Sequence, residues 1–111
     1  MKCRSPRSEE LALLIVLLKK GNIIVPPDWV DTLLVKEQAD GGMGSLLLGP
    51  DGNFDPLRRM GRVASEVQFK DSDGVDVLAS LNLDDKDNLF ELNIWKVNFS
   101  PLKAWPYIDI T

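Results

Sequence analysis

The side chains of this chain that could do chemistry are almost all carboxylates and amides. Its 111 residues hold 17 Asp+Glu against 13 Lys+Arg, with one cysteine, one tyrosine and no histidine. Without imidazole there is no Ser-His-Asp or Cys-His nucleophile pair, no imidazole general base and no histidine-bearing zinc site. Cys3 alone can form neither a thiolate cluster nor an intrachain disulfide, which fits a reducing compartment. Acid–base work would fall to carboxylates, lysines or Tyr107, and a metal would have to accept oxygen ligands. The sequence therefore points away from an enzyme, and no cofactor or metal is expected. A net charge of −4 also speaks against binding the phosphate backbone of nucleic acid, because that affinity comes from Lys and Arg displacing counterions.

Four local patterns resemble binding motifs. KDSDGVD at residues 70–76 spaces Asp71, Asp73, Gly74 and Asp76 like part of a calcium loop. The twelfth position, which needs a bidentate Glu, is Asn82, so a hairpin turn is the better reading. DGGMGS at 40–45 looks like a phosphate-cradling loop, but a strand follows it where a helix N-terminus is required. A hairpin needing positive φ explains the glycines, and Gly41, Gly42 and Met43 would still let a ligand or partner approach the backbone. Arg58, Arg59 and Arg62 form a basic cluster best read as a solvated loop end. The segment from Pro101 to Thr111, with Leu102, Trp105, Tyr107, Ile108 and Ile110, is too apolar for a disordered tail and should pack on its own domain or at an interface.

The elements that must position these residues follow from capping and turn signals. Ser5 before Pro6, Glu9 and Glu10 in a first turn, then Lys19, Lys20 and Gly21, mark one long N-terminal helix with Ser5 as N-cap. Its stretch Leu11 to Leu18 is apolar all round, so the sheet and a second cover, tail or subunit, should bury it. That run of eight residues is too short to span a bilayer, and no membrane partner is expected. Turn signals at Asp40-Gly41-Gly42, Pro50 to Asn53, Asp73-Gly74 and Asp84 to Asn88 separate strands at about 33–38, 44–48, 62–70, 75–84 and 89–99. The expected fold is α+β: one domain over residues 1–111, with one long helix packed on an antiparallel meander of about five strands in two layers.

Register sharpens this. Val63, Val67 and Phe69, then Val75, Val77, Ala79, Leu81 and Leu83, then Phe90, Leu92 and Ile94 share a parity and a core face. A type I turn with a bulge at Gly74 pairs Phe69 with Val77 and Val67 with Ala79. A four-residue loop pairs Leu83 with Phe90 and Leu81 with Leu92. The opposite face then carries Glu66, Ser80 and Asn93 in one row, Ala64, Asn82 and Glu91 in the next, and Gln68, Leu78 and Trp95 on the other side. Asn and Ser are poor strand formers that gain from specific hydrogen bonds, so this face is the candidate binding surface, with Trp95 as its aromatic anchor.

Four segments, DGGMGSL at 40–46, SEVQFKDSDGV at 65–75, SLNLD at 80–84 and NLFELNIWKVNFSPL at 88–102, resemble a family of small bacterial proteins described only as a domain of unknown function. The resemblance implies a stand-alone cytoplasmic protein without an assigned activity. The family pattern carries Asp where this chain has Asn93 and Asn98, which weakens a catalytic or metal role there. The small format is also similar to toxin-immunity proteins, at the level of fold analogy. Three functions are in play: a non-enzymatic protein-binding module of immunity or inhibitor type using the polar face, a homodimer using the helix and tail, and a small-molecule site built on a Glu66/Glu91 carboxylate pair.

Overall fold

The structure, a computed structural model, describes residues 2–105. Among them the chain runs β1 (Cys3–Arg4), α1 (Ser8–Lys20), α2 (Trp29–Thr32), β2 (Leu34–Glu37), β3 (Leu46–Gly49), a 3-10 turn (Pro50–Gly52), β4 (Met60–Lys70), β5 (Asp76–Asp84) and β6 (Leu89–Lys96). The strands form one antiparallel six-stranded sheet in the order β1-β2-β3-β6-β5-β4.

This overturns the expected architecture of a long helix on a five-strand meander. The helix is short, 13 residues, and the sheet dominates. β3 pairs with β6 rather than with its successor β4, so the segment 50–59 crosses the end of the sheet instead of turning back as a hairpin. The sixth strand, β1, is only two residues long and carries no periodicity to read. It is held where it is by Arg4, whose guanidinium donates to both oxygens of Glu10 at 2.8 and 3.0 Å.

Glu10 also accepts the Arg7 N–H at 2.7 Å. The helix therefore starts after Arg7, not after Ser5, because a third-position carboxylate satisfies the backbone donor that a serine cap was expected to serve. Leu13, Leu14, Leu17 and Leu18 are buried against the face of the sheet formed by Val35, Leu46, Leu48, Val77, Ala79, Leu81, Leu83, Leu89, Leu92 and Ile94. Fully burying an aliphatic side chain stabilises by roughly 1.5–3 kcal/mol, so this single layer supplies most of the driving force.

The register is as expected in the hairpin from β4 to β5 up to Ser65, with Phe69 opposite Val77 and Val67 opposite Ala79. It departs at three irregularities, the first at Gly61, which is skipped between Met60 and Arg62. Residue 64 is skipped, so Val63 rather than Ala64 faces Asn82; Val63 leaves the expected core parity and is 49% exposed. Leu83 pairs with Leu89, not Phe90, which puts the smaller leucine in the core and turns the Phe90 ring toward the Arg58 guanidinium, 5.2 Å away. An extra residue on one strand bends it and re-aims side chains, which sequence parity does not reveal.

Candidate functional site

With α1 on one face, the register sends Glu66, Gln68, Ser80, Asn82, Glu91, Asn93 and Trp95 to the other. β5 lies between β4 and β6 there, so its two polar residues are walled in by their neighbours: Ser80 and Asn82 are buried, while Glu66, Gln68, Asn93 and Trp95 are exposed. Ser80 Oγ donates to Glu66 at 2.9 Å. Asn82 Nδ2 donates to one oxygen of Glu91 at 2.7 Å, and Gln38 Nε2 donates to the other at 2.8 Å. Gln38, at the end of β2, was not legible as a member because its partner is 53 residues away. The Asn82 side-chain oxygen is buried and accepts no hydrogen bond among the described residues, which is uncommon in folded proteins.

Glu66 and Glu91 are brought to one face but not into one pair. Each is engaged by its own amide or hydroxyl, and no hydrogen bond joins them among the described residues. Neither lines the cavity of about 230 Å³ at the corner of this face, which is bounded by Lys36, Leu47, Phe54, Arg58 and Phe90. At the opposite end the Trp95 and Phe99 rings meet edge to face at 6.1 Å. Trp95 is 41% and Phe99 68% exposed, and Phe99 sits at φ 60°, a left-handed conformation that costs a bulky residue energy.

The glycine-rich loop has a different occupant from the ligand or partner considered for it. Asp40 accepts the N–H groups of Met43 and Ser45 at 3.1 and 2.8 Å, and Gly41, Gly42 and Gly44 have positive φ. A Cβ on Gly42 would lie 3.2 Å from Pro101, and one on Gly44 3.2 Å from Trp105. Leu102 N–H donates to the Gly42 carbonyl at 3.0 Å. The loop is the bed of the chain's own tail, and Leu102 and Trp105 pack against the core. Tyr107, Ile108 and Ile110, the rest of the expected tail contact, lie outside the described residues.

The calcium-like turn closes on an ammonium group. Lys96 Nζ, fully buried, donates to Asp71 at 2.7 Å, to Asp73 at 2.8 Å and to the Pro101 carbonyl at 3.2 Å. Asp71 further accepts the N–H groups of Lys103 and Ala104. A cluster of two carboxylates and one lysine thus ties the β4–β5 turn to the tail. Sequence reasoning missed Lys96 because, by alternation alone, it occupies a core-face position where a charge is least expected. Arg58 corrects the reading of a solvated basic cluster. Its side chain is 10% exposed and donates to Asp84 and to the carbonyls of Leu48, Asn53 and Leu89, pinning the 50–59 crossing; Arg59 and Arg62 are exposed.

These contacts set a pH dependence. Burial pushes the Asp71, Asp84 and Glu10 carboxyls up. It is outweighed at Asp71 by the Lys103, Ser72 and Ala104 N–H groups and Lys96, at Asp84 by the Asn88 and Lys86 N–H groups and Arg58, and at Glu10 by Arg4 and the Arg7 N–H. All three are held below their ordinary values of 3.8, 3.8 and 4.5. A depressed carboxyl contributes stability above its unfolded pKa and loses it as pH falls through the folded one. Lys96 runs the other way: burial pushes it down, but Asp71 and Asp73 raise it above 10.5, so its contribution is complete below that value and lost above. Melting temperature should stay level around neutrality, start to fall as pH drops below 4.5 and fall steeply below 3.8. A scan that stays flat at acid pH would show that these carboxylates carry no stability.

A family model described as "Domain of unknown function (DUF6984)" matches residues 3–106. No curated protein and no solved structure matches the chain. Among the described residues no helix is long and apolar enough to cross a membrane.

Proposed function

We propose that this chain, which belongs to the DUF6984 family, is a non-enzymatic cytoplasmic protein-binding module that engages a polypeptide partner through the sheet face opposite α1. One observation carries the reading: an exposed Trp95–Phe99 aromatic pair stands at the end of that face. Exposed aromatic anchors beside fixed polar groups are the usual composition of a binding hot spot. The Gln38–Glu91–Asn82 chain on the same face is set before binding. An inhibitor or immunity role fits this format, since such proteins act by covering a partner's surface.

The test is capture on immobilised protein. Against wild type, the Trp95→Ala, Phe99→Ala double variant should lose roughly tenfold or more in affinity for the captured partner, the size expected when a central aromatic anchor is removed. Its melting temperature should stay close to wild type, because both rings are largely outside the core. Equal capture by both proteins would move the binding surface off this face.

A further inference from the structure

The two edges of the sheet are unlike. β1 ends it with two residues, too short to template another strand, whereas β4 ends it with eleven. Natural sheets blunt long edges with bulges, charges or a covering element. Both irregularities of β4 fall before Ser65, which leaves Ser65 to Lys70 as regular strand. No backbone hydrogen bond leads from these residues away from β5 among the described residues.

The direction of their backbone groups follows from the turn. Asp71 N–H donates to the Val75 carbonyl at 2.9 Å, so in an antiparallel ladder the hydrogen-bonded positions recur every second residue, at Phe69, Val67 and Ser65. The N–H and C=O groups of Glu66, Gln68 and Lys70 therefore point away from β5, to the open edge.

We propose that this edge pairs with the same edge of a second copy, antiparallel, about a two-fold axis at Gln68. In that register the outward backbone groups of Gln68 meet those of the partner copy's Gln68, and those of Glu66 meet Lys70. Side-chain chemistry selects it. Glu66 faces Lys70 twice, Val67 faces Phe69 on the core face, and the two Gln68 amides face each other. Opposite charges and apolar pairs directly across strands stabilise, and like charges in those positions destabilise. Centring the axis on Val67 instead would set Ser65 against Phe69 and forfeit both ion pairs. The pairing makes one continuous sheet across the two copies. It leaves the Trp95 face free, so it stands or falls independently of the function proposed above.

Light scattering at tens of micromolar should give twice the 12.4 kDa chain mass. Gln68→Pro should give a folded monomer, because the lost N–H serves no bond within the chain's own sheet. Glu66→Lys and Lys70→Glu should each be monomeric alone, and mixing them should produce a heterodimer in which every facing charge is opposite. In a Cys3→Ser background, Gln68→Cys should crosslink to its copy, since facing hydrogen-bonded residues have Cα atoms about 5.5 Å apart, within disulfide reach. A wild-type monomer overturns the proposal, as does a dimer that survives Gln68→Pro and the single charge reversals.

Discussion

Lys96→Ala is expected to prevent folding or to lower the melting temperature by on the order of 10 °C or more, the scale of a buried ion pair broken from one side. The substitution removes the ammonium that neutralises Asp71 and Asp73 and leaves two neighbouring carboxylates, one of them fully buried at its side chain, with no cation between them. Asp71 also holds the Lys103 and Ala104 N–H groups, and Lys96 holds the Pro101 carbonyl, so the tail should loosen together with the turn. Proteolysis after Lys103 should accelerate well before global unfolding. The comparison that separates charge from packing is the triple variant Lys96→Met, Asp71→Asn, Asp73→Asn. A buried ion cluster replaced by neutral groups of similar shape often keeps its stability, so this variant should melt well above Lys96→Ala. A Lys96→Ala protein that melts with wild type would deny the cluster its structural role.

Gly61→Ala is expected to cost about 2 kcal/mol or more, as overpacking against a part that cannot move does. Gly61 is the extra residue of the first bulge of β4, skipped between the pairs Met60–Asp84 and Arg62–Leu83. A Cβ there would lie 2.5 Å from the Asp84 carbonyl oxygen and 2.7 Å from its carbon. That backbone is pinned. The Asp84 carboxylate accepts the Lys86 and Asn88 N–H groups and Arg58, and Asp85 N–H donates to the Arg59 carbonyl. Relief would have to break the anchor of the 50–59 crossing. Gly41→Asn is the control: nothing lies within 4 Å of the added Cβ, φ is +74°, and asparagine tolerates the left-handed region. A thermal melt in which Gly61→Ala matches Gly41→Asn would refute the steric argument.

Much of the sheet was legible because it rests on local rules. Alternation from Val67 to Leu83 sorted the two faces, and Asp73-Gly74 fixed the turn that sets Phe69 against Val77. Once those held, Glu66, Ser80 and Asn93 had to share a row. Family membership was legible as well, from the segments after residue 40. The row of Asn82 and Glu91 was correct on β5 and β6 but wrong on β4, where a bulge replaced Ala64 by Val63.

By itself, then, the sequence determined which side-chain chemistry the chain lacks and which polar residues share one face of the sheet, because residue type and a period of two are properties of the chain alone. Only the tertiary structure decided who satisfies whom. Lys96 and Asp71 are 25 residues apart, Arg58 and Asp84 26, and Gln38 and Glu91 53, and no local propensity encodes such meetings. The acidic turn that resembled a calcium loop and the glycines that resembled a phosphate cradle each found their partner inside the chain, a buried lysine and the packed tail. The physical reason is the same for both. A buried charge or a bare backbone must be matched by something, and which segment arrives to match it depends on strand order, which no local pattern in the chain encodes.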